Sequence, residues 1–279
     1  MKALKKVVMF LIASGGLFAQ NETQRKFLVE ADKVIRGGIE EYIYTFGRVT
    51  GLEEAPVFPM MPGRVVSVLK NEGDIVKKGE VIALLDREIP GVKTEYLQIT
   101  APIDGIIALI NGKVGQMALQ NQPFAYIVSE QQAIEVGLSS EDLKRVQVGA
   151  VAYAVNRDRV VPGKVVARSK GLDPMSFTGK ARIALNESVF EYGSVVKVKI
   201  VVRRKSQVLI VPETALVQKG NKTVVYVVQN NTVREVPVEV GIVSERRAEV
   251  KGNLKPGDLV VTLGAEGLYD GALVEIGGK

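Results

Sequence analysis

The chain has 279 residues, 46% hydrophobic and 24% charged, the make-up of an ordinary folded protein long enough for two or three small domains. Its formal net charge of +6 is spread along the sequence, and no stretch interleaves aromatic with basic residues, so nothing points to nucleic acid. Histidine and cysteine are both absent, which excludes zinc centres built on those ligands, Cys and His nucleophile systems, and disulfides.

Residues 1–19 read as a secretory signal peptide. Lys2, Lys5 and Lys6 form a positive region, Val7 to Ala13 an apolar core, and cleavage is expected after Ala19. The alternative is an uncleaved anchor, for which the apolar run is short against the roughly 20 residues of a membrane span. No other stretch has the length and apolarity to span. From Phe27 to Thr50 the sequence alternates loosely, with Tyr42, Tyr44 and Phe46 at spacing two and Gly37-Gly38 interrupting. This predicts strand, turn, strand, paired with something distant.

Residues 56–130 contain a duplication. The first half, 56–88, includes PMMPGRVVSVLKNEGDIVKKGEVIALLD; the second, 99–128, reads ITAPIDGIIALINGKVGQMALQNQPFAYIV. Gly63 and Gly105 are 42 positions apart, as are Gly73 and Gly115, and Val65, Val68 and Leu85 recur as Ile107, Ile110 and Ile127. A fixed offset with β-branched residues and glycine turns predicts two copies of one short β unit that close on each other. The connection between the halves, around Pro90-Gly91, is too short for a long helical hairpin, and no heptad pattern lies nearby.

Residues 131–205 predict a small closed β-barrel. Strands are expected at Ile134 to Leu138, Val148 to Val155, Val160 to Arg168, Ala181 to Leu185 and Val195 to Val202. Ser139 reads as the N-cap of a short helical turn. Residues 206–277 form a third β unit, with a hairpin turn at Asn230-Asn231. Residues 27–55 are expected to join this last unit.

The signatures Pro62-Gly63, Gly73-Asp74-Ile75-Val76-Lys77-Lys78-Gly79 and Ala101-Pro102-Ile103-Asp104-Gly105 resemble the lipoyl/biotinyl-carrier fold. Three further stretches appear in a fixed order: Ile134 to Leu143 with Val148-Gly149-Ala150, Val211-Pro212-Glu213-Thr214-Ala215-Leu216-Val217, and Leu254 to Val261 with Leu268 to Val274. Together they make the chain similar to the periplasmic adaptors of RND-type efflux systems, the HlyD-like membrane fusion protein family. The resemblance implies a mainly β, elongated multidomain adaptor with a lipoyl-like β-sandwich, a small β-barrel and a β-rich membrane-proximal domain at 27–55 and 206–277. It implies a non-catalytic periplasmic protein without cofactor or metal. It implies docking on an inner-membrane RND-type or related exporter, in a homo-oligomer that in this family is often a hexameric ring. The family's helical hairpin, whose tip meets the outer-membrane channel, has no counterpart here. Two other readings stay open: a free-standing envelope protein binding a lipid or small molecule between its β domains, and a biotinyl or lipoyl carrier.

The carrier reading needs an exposed acceptor lysine on a hairpin tip, and Lys93 lies near that place without the flanks a modifying enzyme reads. Gly63, Gly73, Gly105 and Gly115 are read as structural turn glycines. Lys77, Lys78 and the run Arg203, Arg204 and Lys205 are candidates for subunit or transporter contact, with Arg246 and Arg247 a weaker pair. Met60 and Met61 are too few to assemble a thioether metal site and are read as packing residues. With no His for a triad and no marked carboxylate pair, the chain gives no catalytic residue.

Overall fold

The computed structural model describes residues 26–87, 95–157 and 159–277. The expected signal peptide and Lys93 lie outside that set. The described chain is mainly β-strand, and it divides into two compact units. One holds the chain up to Arg36, Leu209–Gly241 and the residues from Arg246 on; the other holds Gly37–Val208 with Ile242–Glu245.

The larger unit contains the duplicated sandwich as two four-stranded sheets. In one, the order is Glu54–Val57, Ala125–Val128, Gly105–Ile110, Ile75–Val76; in the other it is Leu97–Thr100, Val81–Asp86, Gly63–Val68, Met117–Ala118. Each sheet takes its central pair from one half of the repeat and its edge strands from the other, so the halves interlock. The 42-residue offset holds at the level of single pairs. Val65 opposes Leu85 as Ile107 opposes Ile127, and the ladder skips Val66 in the first half and Ala108 in the second. Gly73 N–H donates to Ile107 O, and Gly115 N–H donates to Val65 O, both at 2.8 Å. Val65, Val76, Ile82, Leu85, Ile107 and Ile127 meet in one apolar core drawn from both sheets. Each such side chain contributes about 1.5–3 kcal/mol by leaving water, and neither half buries its own share alone.

The barrel follows in the same unit. Its strands run Ile35–Gly51, Gln132–Leu138, Gly179–Leu185, Arg159–Arg168, Val151–Asn156 and Val195–Pro212, and the pairing of Val151–Asn156 with Val195–Pro212 closes the circle. Alternate residues point inward: Ile134, Val136, Ala152, Ala154, Ile183, Val198 and Ile200 fill the interior. Gly47 occupies a position where a Cβ would collide with the side chains of Ile134 and Val136. The helix Ser140–Arg145 adds Leu143 and Val146 to that core. Ser139 Oγ accepts from Asp142 N–H at 3.1 Å and caps it.

Two expectations are corrected here. Gly37-Gly38 does not break the chain; a single strand runs Ile35–Gly51. Nor does 27–55 join 206–277 as one piece. Phe27–Lys33 pairs with Leu259–Leu263 and Val274–Ile276, whereas Gly47 to Gly51 pairs with Gln132 to Val136 in the barrel, and Glu54–Val57 is an edge strand of the sandwich. The alternation at Tyr42, Tyr44 and Phe46 was real, but spacing alone says nothing about which partner a strand finds.

The smaller unit is a β fold of its own, built on Lys222–Gln229, Thr232–Ser244, Arg247–Gly252, Leu259–Leu263 and Phe27–Lys33, with Leu209 to Pro212 pairing Arg247 to Val250. Asn230 and Asn231 adopt φ of 48° and 64°, the left-handed pair that a two-residue hairpin turn needs. Val225, Val227, Val236, Val250 and Val260 form one core, and Val224, Tyr226, Val233 and Val261 another. Tyr226 OH donates to Leu268 O at 2.8 Å, which satisfies its one polar atom in the second core.

Candidate functional site

Where the sandwich meets the barrel, the chain crosses twice, at Gly51–Glu53 and at Ser129–Gln131. The two crossings are bonded to each other: Leu52 N–H donates to Gln131 O at 2.8 Å and Ser129 N–H to Glu53 O at 2.9 Å. Gln132 opens the barrel strand Gln132–Leu138 and is only 3% exposed. Its amide is wholly engaged. Oε1 accepts from Val189 N–H and Phe190 N–H, each at 3.1 Å, and Nε2 donates to Phe190 O at 2.5 Å. Ser188 Oγ accepts from Gln132 N–H at 3.1 Å and donates to Glu130 O at 2.6 Å. Tyr192 OH donates to Ser129 O at 2.9 Å, and burial pushes its phenol above the usual range. The loop 186–194 is thereby tied to the neck by side-chain-to-backbone bonds, each worth about 0.5–1.5 kcal/mol net.

An open groove of about 820 Å³ lies beside this neck, bordered by Ile75, Ile106, Leu185, Asn186 and Phe190. Gln132, Ser188 and Tyr192 of the neck line it as well, with their polar atoms bonded to the protein. Among the described residues no group of three or more Asp or Glu is placed to hold a metal ion. What the arrangement can do is mechanical: it holds a sandwich on a barrel at a fixed setting.

The predicted contact residues fall in separate places. Lys77 and Lys78 sit on the turn before Val81–Asp86 with exposed side chains; their main-chain N–H groups donate to Glu80 Oε2 at 2.9 Å and Asp104 Oδ1 at 2.7 Å. Glu80 also pairs with Lys70, and that ion pair holds its carboxyl below the usual range. Arg203, Arg204 and Lys205 do not form a linker. They lie inside the strand Val195–Pro212, where Arg203 Nε approaches Glu41 at 3.7 Å and Arg204 Nη2 approaches Glu40 at 2.5 Å. Arg246 and Arg247 belong to the smaller unit, where Arg246 O accepts from Glu213 N–H at 2.9 Å.

Gly73 and Gly115 have φ of 89° and 84°, while Gly63 and Gly105 lie where the strands approach too closely for a Cβ. The neck residues Gln132, Ser188 and Tyr192 were not found from sequence. Gln132 stands in the strand start QQAIEV beside a second glutamine, and only its burial gives it meaning.

Residues 53–130, the sandwich, match the family profile described as the RND MFP barrel-sandwich hybrid domain. The sandwich is therefore similar to the barrel-sandwich hybrid domain of RND membrane fusion proteins. Residues 208–276 match a second profile, the YknX C-terminal permuted SH3-like domain. Among curated relatives, the multidrug resistance protein MdtA of Photorhabdus laumondii is 27% identical over 227 residues, 75% of this chain and 56% of that protein. MdtA of Salmonella typhimurium is 26% identical over 201 residues, 66% of this chain and 48% of that protein. The chain thus spans about half the length of the curated relatives it matches. Among solved structures, MacA from Actinobacillus actinomycetemcomitans superposes with a TM-score of 0.63 at 19% identity, covering 83% of this chain and 98% of that one. ZneB from Cupriavidus metallidurans superposes at 0.50 with 18% identity, covering 87% and 94%. These two share the adaptor fold.

Proposed function

We propose that this chain is a periplasmic adaptor that docks on an inner-membrane efflux transporter of the RND or a related type and helps form or regulate its export conduit. The observation that carries this is the interlocked sandwich matched over residues 53–130 and fixed to a closed barrel by a neck whose polar groups are satisfied internally. Such a part sets positions and performs no chemistry. The name of the MdtA relatives suggests drug-like cargo. The reading includes export by a cleaved signal peptide at 1–19, association with the inner membrane, and assembly into a homo-oligomer, with a six-membered ring as the first arrangement to test. It includes Lys77, Lys78 and the segment Arg203 to Lys205 as places where neighbours or the transporter touch. Ten residues separate Val81–Asp86 from Leu97–Thr100, so the reach to an outer-membrane channel falls to another component.

Mild crosslinking of envelopes, followed by purification of this protein and identification of its companions, tests the reading. An inner-membrane exporter in stoichiometric yield is expected. Recovery of the chain alone, under conditions that keep a reference pump complex intact, would overturn the adaptor reading in favour of a free-standing binding protein.

A further inference from the structure

The barrel loop from Ser169 to Thr178 connects Arg159–Arg168 to Gly179–Leu185, and it is built to hold apolar side chains in water. Met175 is 93% exposed, more than any other large hydrophobic residue described, and Phe177 is 73% exposed. Leu172 on the same loop is also exposed. Exposed apolar side chains on floppy loops are unremarkable; here the loop is braced. Asp173 Oδ1 accepts from Met175 N–H at 2.9 Å, Ser176 N–H at 2.8 Å and Ser176 Oγ at 3.1 Å. Phe177 N–H donates to Asp173 O, and Asp173 N–H to Thr178 O. Phe177 itself sits at φ 54°, a backbone setting that costs a non-glycine residue free energy and persists where the surroundings impose it.

Cations outnumber carboxylates along this stretch of chain. From Lys164 to Arg182 the chain carries five cations, Lys164, Arg168, Lys170, Lys180 and Arg182, and a single carboxylate, Asp173. That carboxylate is turned to the loop's own N–H groups. Lys180 and Arg182 share Glu135, at 2.8 and 3.9 Å, while Arg168 donates to Leu143 O at 2.7 Å, which ties the capping helix to the base of the loop. Lys170 is exposed beside the apolar tip.

An apolar tip on a braced loop, in a stretch with an excess of cations and with Lys170 exposed next to it in sequence, matches the interface of an anionic bilayer. There apolar side chains enter the headgroup and acyl boundary while lysines and arginines meet lipid phosphates. We infer that the loop Ser169 to Thr178 is a membrane-surface contact, with Met175 and Phe177 entering the interfacial layer of an anionic phospholipid leaflet. The inference does not depend on the chain serving an exporter.

The test uses the absence of tryptophan from the chain. Phe177→Trp in the full-length protein places a single indole on the tip, and Met175→Trp provides a second version should the first fail to fold. Vesicles of phosphatidylglycerol and phosphatidylethanolamine are expected to move the emission to shorter wavelength and to quench it when the acyl chains are brominated. Pure phosphatidylcholine vesicles should give a much smaller effect, and high salt should reverse the binding. Met175→Asp in the Phe177→Trp background should weaken partitioning about tenfold or more, as expected when a buried methionine is replaced by a charge. Emission that stays unshifted with every vesicle, in protein that keeps its β-sheet circular dichroism, overturns the inference. So does vesicle binding that leaves the indole unquenched, which would place the contact elsewhere. A lipid-independent shift that grows with protein concentration also overturns it and identifies a second copy of the chain as the occupant.

Discussion

Glycines that look alike in the sequence do different physical work. Gly73 has open space around it and is selected by its positive φ, whereas Gly63 and Gly105 face the carbonyls of Asp86 and Val128, with only 2.8 Å left for a Cβ at Gly63. Gly105→Ala should therefore cost about 2–3 kcal/mol through forced strand separation, and Gly73→Ala about 1–2 kcal/mol through backbone strain. Urea unfolding should rank them in that order; the reverse order would refute the close-approach account. Gln132→Leu leaves Val189 N–H and Phe190 N–H without their acceptor and should cost about 2–4 kcal/mol. Amide exchange at those two residues should rise before the rest of the barrel loosens. Burial raises the phenols of Tyr42, Tyr192 and Tyr226, and at Tyr42 Glu40 adds to it. Unfolded tyrosine ionises near 10.0. Above that pH the unfolded chain releases protons that the native chain keeps, so stability is full below 10 and falls as pH rises. These three phenols should then ionise in step with loss of β-sheet signal. Ionisation of all eight tyrosines in protein that remains folded would contradict this. The turn glycines were legible because offset and residue type coincide; Gln132 was not, because a buried amide and an exposed one are spelled the same way.

Strands were legible where alternation and turn residues agreed, and pairing partners were legible only where the repeat or the hairpin turn at Asn230-Asn231 supplied them. The 42-residue offset carried the sandwich down to its skipped residues, since two copies of one unit must make the same bonds. The strand Ile35–Gly51 was misread because glycines usually punctuate, yet Gly38 lies against the backbone of Lys205 with room for a Cβ, 3.6 Å from its carbonyl oxygen. A ladder partner outweighs the local penalty of a glycine pair. Arg203 and Arg204, expected as contact residues, sit in a continuous strand, facing Glu41 and Glu40 on its neighbour. A double-mutant cycle on Arg204 and Glu40 should return a coupling of about 0.2–1 kcal/mol, the range for exposed pairs; a value near zero would mark the pair as incidental. The Asp173 loop belongs to this scale too. Hydrogen bonds from Ser176 and Met175 hold its carboxyl below the unfolded value of 3.8. The bracing is therefore complete above that value and is lost as pH falls through the lower folded pKa. Amide exchange at Met175 and Ser176 should accelerate only in that acid range, and Asp173→Asn should abolish the transition.

At the scale of the whole molecule, the order of motifs was enough for the adaptor architecture, while the assignment of residues 27–55 was not, because a strand's pattern does not name its sheet. The interlocked halves have a further bearing on what can be done to this chain. Asp86 and Val128 are equivalent positions of the repeat, and at Val128 the sandwich hands over to the neck that carries the barrel. The strand Val81–Asp86 thus ends at the counterpart of the neck. Closing a longer loop there costs only about 0.6 kcal/mol for each doubling of its length. The protein's span is in that sense a tunable dimension: a helical segment grafted at 87–96 should lengthen the particle in small-angle scattering while leaving the unfolding midpoint of the sandwich nearly where it was.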